Sequence, residues 1–173
     1  RESDPAASLA PIMDAVLDEE NADPLMRGLW QPRLEAALRW IEDQVTSYDD
    51  RRVLAVEKKG AMTFEGVQVH GRADRIDRLE DGSLAIIDYK TGAAPSKRQV
   101  ESGFSPQLPL EAAIAAQGGV DGVDTGPVAQ LVYLELPGGR EPGREKILDL
   151  DVTEAADGAV AGLTKWVRKC AAY

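Results

Sequence analysis

The chain has 173 residues, 43 % of them apolar and 29 % charged, which suits one soluble globular domain with its own core and excludes a collagen-like or low-complexity chain. No apolar run approaches the ~18 residues of a membrane span, so no membrane association is expected. The net charge of −10 argues against general binding to nucleic acid through overall charge and leaves room for a local basic groove.

Ser8 to Glu20 reads as a helix, with Leu9, Ile12, Met13, Val16 and Leu17 at helical spacing. Asn21-Ala22-Asp23-Pro24 breaks it. A longer helix is predicted from Pro24 to Ser47, with Leu29, Trp30, Leu34, Ala37, Leu38, Ile41 and Val45 as one apolar stripe. The period then changes to alternation. Arg52 to Lys58 reads as a strand and Gly60 as the punctuation after it. Thr63 to Arg78 and Ser83 to Tyr89 complete a three-stranded meander. After Gly92 come a loop, one helical turn over Lys97 to Ser102, and a helix over Pro106 to Gln117 ended by Gly118-Gly119. Val128 to Leu136 and Lys146 to Leu150 read as strands. Asp151 or Thr153 caps a final helix that carries Val160, Leu163, Trp166 and Val167. The order predicts a mixed α/β layer fold. Cys170 is the one cysteine, so no internal disulfide and no iron–sulfur cluster can form, and a reducing, cytoplasmic setting is expected. Arg1 to Pro11 has no secretory apolar region, and the chain does not start with Met, so it is expected to be part of a longer protein.

The chemistry concentrates between Gly71 and Gly92, in GRADRIDRLEDGSLAIIDYKTG. A three-residue loop Glu80-Asp81-Gly82, with Gly82 at the position that needs positive φ, sets Asp74 opposite Asp88, Arg72 opposite Lys90 and Ile76 opposite Ile86. Alternation then puts Asp74, Asp88, Lys90 and His70 on one face and Asp77 on the other. A two-residue Asp81-Gly82 turn shifts the register by one and exchanges these roles. Two facing carboxylates repel unless a cation lies between them, and hard oxygen ligands favour Mg²⁺ or Mn²⁺. The Tyr89 carbonyl can join them. Lys90, two residues on, can orient a water or offset charge developing at phosphorus. Opposed to this stands the plain reading, an ion pair of Lys90 with one Asp at a solvated strand end.

GRADRID (71–77), IDYKTG (87–92) and SPQLPL (105–110) together resemble the RecB-like branch of the PD-(D/E)XK nucleases, most closely the C-terminal nuclease domain of AddB-type helicase–nuclease subunits. The resemblance covers Leu54 to Leu136 well and the flanking helices loosely. It implies a restriction-endonuclease-like α/β core, a central mixed β-sheet flanked by helices over residues 51–173, with a helical segment over 1–50 packing on it. It implies Asp74 and Asp88 as metal ligands with the Tyr89 carbonyl, Lys90 as the catalytic lysine, and Gln107 as an auxiliary residue on the following helix. Glu57 is a further candidate auxiliary acid, and Arg72, Arg75, Lys97 and Arg98 are candidate DNA-backbone contacts. The implied substrate is single-stranded DNA delivered by an AddA-like helicase partner during double-strand break processing. Three departures stand out. The family's tyrosine four residues after the glutamine is Glu111 here. The four cluster cysteines of many members are missing. The family's histidine, in a GxxxH stretch on a helix well upstream of the first Asp, has no counterpart in Arg1 to Asp50, so that helix is expected to lie before Arg1. The alternative from another class is a non-catalytic nuclease-fold domain that docks a helicase. Carboxylate-pair chemistry on a sugar leaves Lys90 without a role.

Overall fold

The structure, a computed structural model, describes residues 6–20 and 23–171. The helix break expected at Asn21-Ala22 lies outside them. The elements run α1 (Ala6–Glu19), α2 (Pro24–Ser47), β1 (Arg51–Phe64), β2 (Val67–Leu79), β3 (Leu84–Lys90), α3 (Lys97–Glu101), α4 (Gln107–Ala116), β4 (Val128–Glu135), β5 (Arg144–Ile147) and α5 (Val152–Ala171). The five strands form one sheet in sequence order. β1, β2 and β3 are antiparallel neighbours. β4 runs parallel to β3: the Leu84 amide donates to the Pro127 carbonyl at one end (2.8 Å) and the Leu136 amide to the Lys90 carbonyl at the other (2.7 Å). A parallel neighbour needs a crossover, and α3 and α4 supply it.

The first hairpin corrects the sequence-based expectation. β1 does not stop near Gly60 but continues to Phe64, and the chain turns at Glu65-Gly66, both with positive φ (47° and 81°), the backbone of a two-residue type I′ hairpin. Gly60 is a point of close approach within the strand. A Cβ there would lie 2.7 Å from Ile114 Cγ2 and 2.9 Å from the Gly119 carbonyl. The segment after α4 hydrogen-bonds to β1 at this place, from the Ala61 amide to the Gly119 carbonyl (2.8 Å) and from the Asp121 amide to the Lys59 carbonyl (3.1 Å). The second hairpin follows the three-residue expectation. Gly82 has φ +85°, the Leu79 amide bonds the Ser83 carbonyl (2.9 Å), and Ile76 pairs with Ile86.

The chain divides into two compact units. The larger comprises residues 50–89, 94–134 and 145–173. Its core lies on one face of the sheet, where Ile76, Leu84, Ile86, Leu131 and Tyr133 meet Leu108, Ala112 and Ile114 of α4 and Val152, Ala156 and Val160 of α5. Asp151 caps α5, accepting from the Glu154 amide (2.9 Å), which decides between the two candidate caps. Along α5, Val160 and Leu163 pack in or against the core, while Trp166 is 67 % exposed. On the other sheet face Ala85, Ile87, Val132 and Leu134 are also buried.

The smaller unit comprises residues 1–49, 90–93 and 135–144. Asp23 caps α2 through the Leu25 amide (2.9 Å). α1 packs on α2, and Arg27 reaches back to Asp18 (2.6 Å). Gly138 and Gly143 allow α2 to approach: a Cβ on Gly138 would fall 2.9 Å from Arg33 Cβ, and one on Gly143 would enter the Trp40 ring. Leu29 and Trp30, part of the predicted stripe, are 61 % and 48 % exposed, so the apolar stripe of α2 is narrower than its sequence suggests. Ala37 is buried, and Leu34, Leu38 and Ile41 are half-buried.

Candidate active site

The register between β2 and β3 runs through Arg75–Ile87, Ile76–Ile86, Asp77–Ala85 and Arg78–Leu84. One step further places Asp74 across from Asp88. There the ladder ends, because the Asp74 carboxylate (Oδ2) accepts from the Tyr89 amide at 3.1 Å in place of a backbone carbonyl. Asp88 follows Leu84 and Ile86 on the core-facing side of β3 and is 1 % exposed. A solvated strand end is therefore excluded for Asp88. Asp74 is half-buried at the point where β2 changes phase: Ala73 and Ile76 both lie in the same core. Across β2, between the pairs Val56–Arg75 and Lys58–Ala73, stands Glu57, a non-glycine residue with φ +51°. The phase change also corrects simple alternation for His70. Val69 and Ala73 take the core side, and His70 is exposed.

Lys90 closes β3, two residues after Asp88 and on the same side by strand parity. Gln107 opens α4, and its Nε2 donates to Glu111 Oε1 one turn on (3.2 Å). Glu111 is buried, and its chain passes over Gly71 of β2, where an added Cβ would lie 3.6 Å from Glu111 Cγ. Tyr133 of β4 is pushed up to about 12, first by burial and then by the charges of Asp88 and Glu111, so three elements bring these groups into one neighbourhood. Asp88 and Glu111 each have further interactions, and one oxygen of each, Oδ2 and Oε2, is buried without accepting a hydrogen bond. Read from sequence, Glu111 was only a departure from the family pattern, and Tyr133 was passed over. The signal was an acid on the apolar side of an Ala- and Leu-rich helix.

The candidate DNA contacts separate. Arg75 is the correction. It is 3 % exposed, and its guanidinium grips Asp77, itself fully enclosed, through Nε–Oδ1 (2.7 Å) and Nη2–Oδ2 (2.6 Å). Burial pulls the Arg75 pKa down, but hydrogen bonds and charge from Asp77 and Tyr89 outweigh it and hold the group above its ordinary value. A guanidinium so enclosed cannot reach a phosphate. Asp77 is its counter-charge. Arg72 is exposed and pairs with Glu57 at 2.8 Å. Lys97 and Arg98 are exposed on α3, Lys97 lying 3.6 Å from Glu101.

Among the described residues no group of three or more His, Cys, Asp and Glu side chains is arranged to hold a metal ion. The expected ligands, the Asp74 and Asp88 carboxylates and the Tyr89 carbonyl, are hard oxygens, the donor class that suits a small divalent cation. No helix among the described residues is long and apolar enough to cross a membrane.

The sequence profile of the PD-(D/E)XK nuclease superfamily matches residues 1–172. An uncharacterized protein of Rickettsia typhi is 28 % identical over 121 residues, covering 67 % of this chain and 14 % of that protein. The B subunit of the ATP-dependent helicase/deoxyribonuclease of Streptococcus agalactiae is 28 % identical over 107 residues, 56 % of this chain and 10 % of that protein. Its namesake in Streptococcus mutans is 48 % identical over 48 residues, 27 % of this chain and 4 % of that protein. The chain thus spans a small part of the length of these relatives.

Proposed function

The chain belongs to the PD-(D/E)XK nuclease superfamily, and we propose that it is the metal-dependent nuclease domain of an AddB-type helicase–nuclease, hydrolysing phosphodiester bonds of single-stranded DNA during double-strand break processing. The observation that carries this reading is Asp88. A carboxylate 1 % exposed on a core-facing strand, in register with Asp74, is costly unless it has a chemical task. In this reading Asp74 and Asp88 hold Mg²⁺ or Mn²⁺ with the Tyr89 carbonyl. When bound, the cation polarises a phosphoryl oxygen and lowers the pKa of water. The Tyr89 amide fixes the Asp74 carboxylate by its 3.1 Å hydrogen bond. Lys90 offsets charge that develops on the phosphate oxygens and orients the attacking water. Gln107, held by Glu111, is an amide donor at the start of α4. The exposed Arg72, Lys97 and Arg98 are the candidate contacts to the DNA backbone, Arg72 exchanging Glu57 and Lys97 exchanging Glu101 for phosphate. Glu57, across from Asp74, is the auxiliary acid. A helicase partner is suggested by the names of the streptococcal relatives, subunits of a helicase/deoxyribonuclease, and its AddA-like type by the motif resemblance.

A second reading, a docking domain without catalysis, is favoured by the exposed apolar residues Ile12, Leu25 and Leu29 on the first two helices. One pair of experiments separates the two. Calorimetric titration with Mn²⁺ is expected to show binding to the wild-type chain and none to Asp88→Asn. Degradation of single-stranded DNA in Mn²⁺ is expected to stop in Lys90→Ala. Negligible heat from both chains, with folding verified by circular dichroism, leaves the docking reading.

A further inference from the structure

Glu111 is the one charged residue of α4, and it lies among Leu108, Ala112 and Ile114 on the buried side of that helix. A glutamine–glutamate hydrogen bond one turn apart is commonplace on an open helix face. Here the acceptor of the Gln107 amide is a carboxylate only 6 % exposed. Withdrawing such a charge from water is costly unless the charge has a use.

The sheet locates the carboxylate. The stem of Glu111 crosses β2 at Gly71, where an added Cβ would lie 3.2 Å from Ile114 Cδ1 and 3.6 Å from Glu111 Cγ. The charge at its tip is felt on β4, by Tyr133, together with the charge of Asp88. In the order of the sheet, β3 is the strand between β2 and β4. The tip of Glu111 therefore lies over β3, on the core-facing side from which Asp88 projects. The parallel pairing of β3 with β4 runs Tyr133 alongside Asp88 on that same side. Among the described residues no three acids are arranged to hold one metal ion, so Glu111 is not a third ligand beside Asp74 and Asp88. Its influence on a cation passes through Asp88 and through space. A fixed negative charge in a water-poor setting favours a cation nearby, because little solvent screens the attraction.

We propose that Glu111 is a positioning residue of the cation site, a second buried carboxylate beside Asp88 that strengthens the hold on the divalent ion without touching it. Gln107 holds this carboxylate in place through its 3.2 Å hydrogen bond. The inference rests on the nuclease reading above and adds to it a residue of α4. In the metal-free chain the neighbouring acids repel each other, and the cation relieves that repulsion.

The test is calorimetric titration of Mn²⁺ into the metal-free chain, with melting temperatures recorded in EDTA. Glu111→Gln keeps the size and the hydrogen bonding and drops the charge. Glu111→Asp keeps the charge and shortens the stem. Glu154→Gln, at an exposed position of α5, controls for net charge. Glu111→Gln is expected to bind Mn²⁺ about tenfold more weakly than wild type, the lower range for losing an outer partner of a metal ligand. Glu111→Asp and Glu154→Gln are expected to bind nearly as wild type does. The melting temperatures of the two Glu111 variants are expected to rank the other way. Glu111→Gln should melt at or above wild type, because a buried charge is gone, and Glu111→Asp below it, because the shorter stem leaves a gap. Equal Mn²⁺ affinity of wild type and Glu111→Gln overturns the proposal. An equal loss in Glu154→Gln overturns it too, as does an affinity order that follows the melting temperatures, the pattern of a residue that only packs. Absence of Mn²⁺ binding by wild type overturns the nuclease reading itself, and this inference with it.

Discussion

Arg75→Met tests the internal logic of the fold most sharply. The guanidinium and its partner Asp77 are 3 % and 0 % exposed and share two hydrogen bonds, of 2.7 and 2.6 Å. Methionine retains much of the apolar stem, so the main loss is the counter-charge of an enclosed carboxylate. Breaking such a pair by removing one partner costs about 3–5 kcal/mol. At ~2–4 °C per kcal/mol for a domain of this size, the melting temperature should fall by roughly 6–20 °C. Urea unfolding should show a lower midpoint with an unchanged slope. Arg75→Lys should fall between, because an ammonium keeps the charge but not the two-point fork. The double variant Arg75→Met/Asp77→Leu should recover most of the loss, since an apolar replacement of both partners leaves no orphaned charge. A cost below about 1 kcal/mol for Arg75→Met, or a double variant as unstable as the sum of the singles, would refute the enclosure on which this rests.

Three further outcomes are expected. Gly60→Ala should destabilise by about 1–3 kcal/mol in urea unfolding, because its Cβ would press on Ile114 (2.7 Å) and on the Gly119 carbonyl (2.9 Å); an unchanged midpoint would mean that β1 and α4 do not approach as described. The Asp81 carboxyl should titrate below the ordinary carboxylate range, because the Ser83 hydroxyl and amide both donate to it. Its contribution to stability is therefore present above the unfolded pKa and is lost as pH falls through the folded value. NMR titration should show the midpoint moving up in Ser83→Ala. Tyr133, pushed up to about 12 by burial and then by Asp88 and Glu111, should ionise at lower pH in Glu111→Gln, as read from tyrosinate absorbance, and no change would separate Glu111 from this neighbourhood.

Much of the larger unit was legible in the residues. The switch from helical spacing to alternation located the meander. The loop Glu80-Asp81-Gly82 needs one residue of positive φ, and only its last residue is glycine, so the β2–β3 register followed from local chemistry. That register brought Asp74 and Asp88 together before any packing was known. The first hairpin was less legible. Glu65 adopts a positive φ that its side chain does not advertise, and Gly60 looked like punctuation because its neighbour Ile114 is 54 residues away in sequence.

By itself the amino-acid order determined element types and the tight turn, because these depend on interactions a few residues long. Only the tertiary structure decided which charges are enclosed. Arg75 read as a surface cation until Asp77 and burial claimed it, and Glu111 read as a missing tyrosine until α4 laid it over Gly71. Burial is a property of what packs from elsewhere in the chain, and no local pattern encodes the solvent that a distant helix removes.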